Sequence, residues 1–138
     1  MRPAITRAIC AMEKSALAGS NHSPRGATHS PCSTHYDAGV GVEAQRALGL
    51  NVTTDSAMKI SKSFKGIITA EDLTKLQSET FYVGEKGDEI ADYSYNYTIK
   101  PTGPSVLKST SFFYYDAGTG NAPERASGTH VTTDSAMR

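Results

Sequence analysis

One block of this 138-residue chain is written twice. Residues 36–59 and 115–138 align without a gap at a constant offset of 79 (115 − 36), and 15 of the 24 aligned positions are identical. The longest identical stretch, VTTDSAM, occurs at 52–58 and again at 131–137. For average residue usage, a chance identity of that length has odds on the order of one in 10⁵. Chance is therefore excluded, and the two copies are either used in the same way or left over from a duplication.

Charge and composition exclude several classes of partner. Lysine and arginine (14) balance aspartate and glutamate (14), so no overall field favours nucleic acid or an anionic membrane. No apolar run approaches the roughly 18 residues of a membrane span. The length allows a single modest core, but hydrophobic residues make up only 38% of the chain, below the usual value of about 45–50%, so that core is not expected to take in the whole chain. We expect an intracellular protein, cytoplasmic or organellar, with no nucleic-acid partner and no membrane span.

The chain is predicted to have four parts. A basic, Ser/Gly/Pro-rich arm occupies 1–35, the first repeat 36–59, a small folded module 60–114, and the second repeat 115–138. The arm has four basic residues and one acid before position 35, which resembles an organellar transit peptide in composition. Within it, 3–17 is predicted to be a short helix and 19–34 an irregular connector, with the two cysteines reduced.

The strongest structural signal lies between the repeats. In IADYSYNYTIK, at 90–100, apolar or aromatic residues alternate with polar ones, which is typical of a half-buried strand with its tyrosines on the buried face. A strand at 80–83 precedes it across the turn GEKGDE, and 106–115 is predicted to be its antiparallel neighbour.

Helices are predicted at three further places. In ITAEDLTKLQSE, Thr69 suits an N-cap and the acids lie in the first turn. In the first repeat, VEAQRAL fits two helical turns, and Thr54 or Asp55 could cap a helix through SAMKISKSF. The predicted fold class is therefore α+β. It consists of a small antiparallel β meander with one short helix at about 64–115, flanked by extended or irregular arms that carry the duplicated segment.

The Asp-x-Gly-x-Gly turn of each repeat is open to an enzymatic interpretation. FFYYDAGTGNA at 112–122 is similar to the nucleotide-binding loops of Rossmann-type methyltransferases and actin-like ATPases. Those loops follow the first strand of a large α/β domain. Here 18 residues (138 − 120) follow Gly120, and no strand is predicted before Tyr36. A Gly-rich turn is the favoured interpretation, and no catalytic residue or cofactor is predicted.

His29, Cys32 and His35 have ligand-like spacing, H-x₂-C-x₂-H. Structural zinc sites normally draw on two paired ligand clusters, and this cluster has no second pair. No metal site is predicted.

The repeated segment is predicted to bind protein. In the second repeat only four residues follow Asp134, too few for a self-sufficient helix. A shape common to both repeats must therefore come from local side-chain bonds or from an outside surface. Tyrosine, arginine and methionine are residue types that anchor interfaces. The predicted partner-binding residues are Tyr36, Asp37, Arg46, Val52, Thr53, Thr54, Asp55, Met58, Tyr115, Asp116, Arg125, Val131, Thr132, Thr133, Asp134 and Met137.

Two copies of one binding segment favour an assembly role. We predict a non-catalytic linker or scaffold subunit that docks two equivalent sites of a larger repetitive assembly, such as a fibre, filament, microtubule wall, capsid or light-harvesting rod. Two alternatives stay open at this point. The repeats could pair with each other, within one globule or a homodimer, or the protein could be a small enzyme or ligand carrier that uses the DAGxG turns.

Overall fold

A computed structural model describes residues 32–68 and 70–138. This part of the chain contains no helix, and strands make up about 41% of it, against the 20–25% of an average domain. The α+β prediction is therefore wrong, and the protein is a small, mostly β module. No helix in the described residues is long and apolar enough to cross a membrane.

Six strands form one antiparallel sheet in the order β2-β1-β3-β4-β5-β6. Two further strands, β7 and β8, pair as a separate antiparallel ribbon. The bounds are β1 Cys32–Tyr36, β2 Gln45–Arg46, β3 Met58–Phe64, β4 Leu76–Val83, β5 Ile90–Thr98, β6 Val106–Phe112, β7 Tyr114–Tyr115 and β8 Glu124–Arg125.

The predicted meander is confirmed in β4, β5 and β6. Both β4 and β6 pair with β5 in antiparallel register, and 84–89 forms the tight connection between β4 and β5. Gly84 and Gly87 have φ values of 119° and 94° there, which side chains other than glycine's rarely adopt. Because alternation and turn residues are local signals, they were legible in the sequence.

The two faces of β5 are not divided as the alternation predicts. Tyr93, Tyr95 and Tyr97 are only half-buried, whereas Asp92 and Ser94, predicted to face solvent, are buried. Ser94 is satisfied there, since its hydroxyl donates to the Glu79 carbonyl oxygen at 3.1 Å. Buried polar groups with such partners are tolerated, and tertiary contacts decide which face is covered.

The helix predicted after Thr69 is absent from the described residues, and Thr69 itself lies outside them. The Asp72 carboxylate accepts hydrogen bonds from the Thr74 amide (2.9 Å) and the Thr74 hydroxyl (2.6 Å). This turn competes with helix formation, and the Lys65 amide then donates to the Lys75 carbonyl, closing 65–75 as a loop. Leu76, which belongs to the stretch ITAEDLTKLQSE that was predicted to be helical, instead begins β4.

The helices predicted in the repeats are also wrong. VEAQRAL contains the short strand β2, which pairs with the end of β1, and SAMKISKSF contains β3. The connector predicted over 19–34 is wrong at its end, because Cys32–Tyr36 is β1. Cys32 is disulfide-bonded, so the prediction of reduced cysteines is wrong for it. The helix predicted over 3–17 lies outside the described residues.

The core is small and partly polar. Its largest fully buried side chain is Phe64, at the end of β3, which is paired with the buried Leu76 of β4. Ser33 and Thr34 of β1 are also fully buried. With so few large apolar side chains inside, each one carries much of the hydrophobic stabilisation.

The sheet has two distinct ends. The hairpin end contains the β4–β5 turn and both repeats, since the first repeat leaves β1 at Tyr36 and the second follows β6. The loop end contains 65–75 and 99–105, which are joined by a hydrogen bond from the Ser105 amide to the Leu73 carbonyl at 2.8 Å. Both repeats therefore lie at one end of the module.

Candidate binding surface

The two repeats have the same fold. In the first, Tyr36 at the end of β1 lies between Gln45 of β2 and Met58 of β3. The equivalent residues of the second, 79 positions later, make the same pairs: Tyr115 with Glu124 and with Met137. Equivalent positions of the two repeats therefore pair with the same partners, although Gln45 is replaced by Glu124 and the pair of Tyr115 with Met137 is an isolated bridge.

The Asp-x-Gly turn is built in the same way in each repeat. The Gly39 amide donates to the Asp37 carboxylate at 2.8 Å, and the Gly118 amide to the Asp116 carboxylate at 3.0 Å. Both glycines have positive φ, 100° and 88°. Aspartate is a good turn former because its carboxylate accepts from a backbone amide two residues on.

The VTTDSAM stretch forms a second shared turn. The Thr53 amide donates to the Ser56 hydroxyl at 3.1 Å, and the Thr132 amide to the Ser135 hydroxyl at 3.0 Å. The chain then returns to the Asp-x-Gly turn, where Ala57 and Ala136 each accept a backbone hydrogen bond, at 2.8 Å, from the turn aspartate. The shared shape thus comes from local bonds, the first of the two sources that the sequence left open.

An ion pair closes each repeat. Lys59 lies 3.6 Å from the Asp37 carboxylate, and Arg138 lies 2.6 Å from the Asp116 carboxylate. The hydrogen bonds from Arg138 and from the Gly118 amide hold the pKa of Asp116 below its ordinary value. The lysine-to-arginine difference between the repeats therefore preserves this contact.

Several predicted partner-binding residues make contacts inside the module. Tyr36 and Tyr115 are buried, and the Tyr115 hydroxyl donates to the Ala91 carbonyl at 2.6 Å. Val52 and Val131 are half-buried, as are Asp37 and Asp116 in their turns. The predicted residues are not brought together into one site, because each set lies in its own repeat.

Other predicted residues lie on the surface. The Thr-Thr-Asp triplet is exposed in both repeats, as Thr53, Thr54 and Asp55 and as Thr132, Thr133 and Asp134. Arg46 is exposed and Met58 half-buried in the first repeat, while Met137 is exposed in the second. That these exposed residues bind a partner remains a prediction.

Both repeats flank the β4–β5 turn. Lys86 of the turn lies 3.4 Å from the Asp55 carboxylate, and the Met58 amide donates to the Glu89 carboxylate at 3.0 Å. Open clefts lie on both sides of the turn, about 610 Å³ beside the first repeat and about 250 Å³ beside the second. The charged residues of GEKGDE, among them Lys86 and Glu89, were the sequence signal for these contacts, but the sequence analysis predicted only a turn there.

The second repeat is fastened to the sheet by an ion pair. The Arg125 guanidinium donates two hydrogen bonds to the Asp92 carboxylate, one of them at 2.8 Å. The same guanidinium lies 4.7 Å from the ring centre of Phe112 and 5.6 Å from that of Tyr93. A two-pronged, stacked arginine is geometrically specific, so this contact sets the position of the second repeat.

A polar network holds the 65–75 loop on the sheet. The Glu71 carboxylate accepts from the Ser33 hydroxyl at 2.8 Å, lies 2.9 Å from His35 Nε2, and pairs with Lys62 at 3.0 Å. Ser33 therefore donates to a carboxylate and not to the histidine, which is not the nucleophile–base geometry of a serine hydrolase.

The network continues along the sheet. Lys62 also lies 3.6 Å from the Glu79 carboxylate, which accepts from the Tyr97 hydroxyl at 2.5 Å. Burial and this hydrogen bond raise the pKa of Tyr97 well above its ordinary value, so its proton stays in place. The arrangement serves to clamp charged strands together.

Acidification is expected to weaken this clamp in two steps. Burial holds the pKa of His35 below 6.5, although the Glu71 charge opposes the effect. Burial alone would raise the pKa of Glu71, but hydrogen bonds from Lys62 and Ser33 outweigh it and bring that pKa below 4.5. Above pH 6.5 His35 is neutral in both the folded and the unfolded state, and its contribution to the free energy of unfolding is complete. That contribution is lost as the pH falls from 6.5 to the lower pKa of folded His35. The contribution of Glu71 is lost as the pH falls from 4.5 through the lower pKa of the folded state.

Urea unfolding above pH 6.5, between 6.5 and 4.5, and below 4.5 measures both steps. The His35→Gln variant should lose the upper step and keep the lower, whereas Glu71→Gln should keep the upper step and reduce the lower one, to which Asp116 also contributes. A His35→Gln protein whose stability still falls like the wild type between the two values would contradict this assignment.

The geometry defines a class: a small, mostly β module that carries one turn-rich segment in two copies at one end. Among residues 32–68 and 70–138, no group of three or more His, Cys, Asp or Glu side chains could hold a metal ion; His29 lies outside them. No family model, curated protein or solved structure matches the chain.

Proposed function

We propose that this protein is a non-catalytic assembly subunit, a linker or scaffold, that docks two equivalent sites of a larger repetitive protein assembly. The docking surface in each repeat is the exposed Thr-Thr-Asp triplet together with the adjacent Gly-rich turn. The proposal rests on one observation: the same residues are exposed in the same conformation in both repeats.

The shared residues divide into two groups with different tasks. The buried tyrosines and the turn aspartates hold the fold of each repeat. The side chains of the exposed triplet are not part of the buried core, yet the three residues are identical in both copies. Two matching surfaces at one end of the module suit a target in which one binding site recurs.

Bivalency would explain the value of duplication. When two weak contacts are held on one scaffold, the second forms within the complex, and overall affinity exceeds that of one contact by about 10²–10⁴. Backbone and ion-pair contacts with the β4–β5 turn and with Asp92 fix the spacing of the two surfaces. A fixed spacing selects a partner array with the matching repeat distance.

Co-sedimentation with the large assemblies of a source-cell extract tests the proposal. Thr54→Arg and Thr133→Arg each place a bulky charge on one exposed triplet. Each single variant should bind about 100-fold more weakly than the wild type, and the double variant should not bind.

Thr102→Arg is the matched control, because Thr102 is exposed at the loop end, away from both repeats. It should sediment like the wild type. A single repeat variant that binds as well as the wild type would refute bivalent docking, and a wild-type chain that never co-sediments would refute docking itself.

A further inference from the structure

β6 forms one edge of the six-stranded sheet. Among residues 32–68 and 70–138 it pairs with β5, and no strand lies on its other side. All seven residues of Val106–Phe112 are exposed. An open edge presents backbone amides and carbonyls without strand partners, to which another extended segment can bind.

The start of this edge is protected, and its end is not. Asn96 pairs with Ser109 and Tyr97 pairs with Leu107, so the strand has an extra residue, Lys108, and bulges there. A bulge and a lysine both discourage pairing at a sheet edge. Beyond Ser109 the strand has neither, so its second half is open to pairing.

The backbone groups on the open side can be identified from two hydrogen bonds. The Phe113 amide donates to the Asp92 carbonyl of β5 at 3.0 Å, whereas the Tyr114 carbonyl accepts from the Arg138 amide at 2.8 Å. Successive residues of a strand direct their backbone groups to opposite sides. The amide and carbonyl of Phe112 therefore face the open side, as those of Tyr114 do.

The first repeat shows which strand binds at this position. With the offset of 79 (111 − 32), residues 111–115 are equivalent to β1, and β3 lies antiparallel beside the whole of β1. In the second repeat the described residues contain the first step of the same ladder, the bridge between Tyr115 and Met137, which is equivalent to the pair of Tyr36 with Met58. The place of β3 is open beside the rest of 111–115.

A row of side chains across the sheet ends at this edge. Ile60, Phe81, Tyr93 and Phe112 lie opposite one another on successive strands from β3 to β6. The ring centres of Phe81 and Tyr93 are 4.5 Å apart, and those of Tyr93 and Phe112 are 6.3 Å apart. Phe112 is 52% exposed, and Tyr114, two residues on and so on the same face, is 44% exposed. One more strand would extend the row and cover both rings.

We propose that the edge at 110–114 binds an extended segment of a partner protein, which pairs antiparallel in the place that β3 takes beside β1. The segment has apolar side chains at two alternate positions, one opposite Phe112 and one opposite Tyr114. Backbone hydrogen bonds give affinity in such strand additions, and the alternate side chains give specificity. The inference is independent of the proposed function, because it uses neither exposed triplet.

A second copy of the chain is a poor source of this segment. β3, whose register the site reproduces, is already paired on both sides, with β1 and β4. Two β6 edges could pair with each other over a few residues only, because the Arg138 amide binds the edge at Tyr114 and Lys108 bulges at the other end. The edge therefore suits a short segment of a different protein.

An NMR titration of the full chain with a synthetic, end-capped peptide tests the proposal. The peptide Ile-Ser-Val-Ser-Phe is residues 60–64 of β3 with the change Lys62→Val. In the register of β3, its isoleucine lies opposite Tyr114 and its valine opposite Phe112. The amide signals of Phe112 and Tyr114 should shift as peptide is added, and both amides should exchange more slowly with solvent.

The same peptide with an N-methyl group on the valine is the matched control. The valine amide is the donor to the Phe112 carbonyl, so methylation should weaken binding at least about 10-fold.

A pair of protein variants tests the same edge. Thr110 lies two residues before Phe112, so its amide also faces the open side. Thr110→Pro removes that amide and leaves the bonds to β5, a position at which edge strands accept proline. It should weaken peptide binding about 10-fold, whereas Thr110→Val, which keeps the amide, should bind like the wild type.

Three results would overturn the proposal. The first is the absence of any shift at every soluble peptide concentration, and the second is equal binding of the methylated peptide. The third is a change of the Phe112 and Tyr114 amide signals with protein concentration when no peptide is present. That result would mean that a second copy of the chain occupies the edge and that the assignment to a partner protein is wrong.

Discussion

The Phe64→Ala variant is expected to be about 3–5 kcal/mol less stable than the wild type. Phe64 is 1% exposed and is the largest fully buried side chain in the described part of the chain. Its removal takes away apolar contacts and leaves a cavity that β3 and β4 cannot close without breaking their register. Because a domain is stable by only about 5–15 kcal/mol, this one change should bring the module close to unfolding at room temperature.

Urea unfolding monitored by circular dichroism measures the loss. Leu107→Ala is the control, since Leu107 lies in the same sheet but is 52% exposed, and surface changes usually stay within about 0.5 kcal/mol. If the two variants lose the same stability, Phe64 is not the centre of the core.

The sequence predicted the strands that carry their own signals. Alternation located β5, and Gly84 and Gly87 marked the turn before it. These signals act between residues that are close in the chain, so no knowledge of the tertiary structure was needed.

The helices were mispredicted because distant contacts decide those segments. Glu71 fits the first turn of a helix, but its carboxylate binds Ser33 and Lys62 across the sheet. The acid-rich loop is therefore held against the sheet by hydrogen-bond partners that lie 38 and 9 residues away in the sequence. Helix propensity is a weak preference that such contacts override.

The repeat predicted a common conformation, and the shared hydrogen bonds confirm it. Sequence identity could not separate residues that build the segment from residues that it displays. Tyr36 and Tyr115 fit an interface anchor as well as a core residue, and the structure buries both.

Breaking the contact between the second repeat and the sheet should have the second largest effect. The Arg125→Ala variant is expected to lose about 2–3 kcal/mol, because it leaves the Asp92 carboxylate, whose side chain is 11% exposed, without its partner. The expected loss stays at the lower end of the range for buried pairs because the Arg125 side chain is 35% exposed.

A double-mutant cycle with Asp92→Asn isolates this interaction. The Asp92→Asn variant has no charge at this position to leave unpaired, so adding Arg125→Ala to it should cost at least about 1 kcal/mol less than adding it to the wild type. Hydrogen exchange should show which part of the module is loosened. The Asp116 amide donates to the Ala136 carbonyl and the Arg138 amide to the Tyr114 carbonyl, and both amides should exchange faster in Arg125→Ala. The amides of β4 and β5 should change little. Additive costs, within about 0.5 kcal/mol, would mean that the ion pair does not hold the second repeat in place.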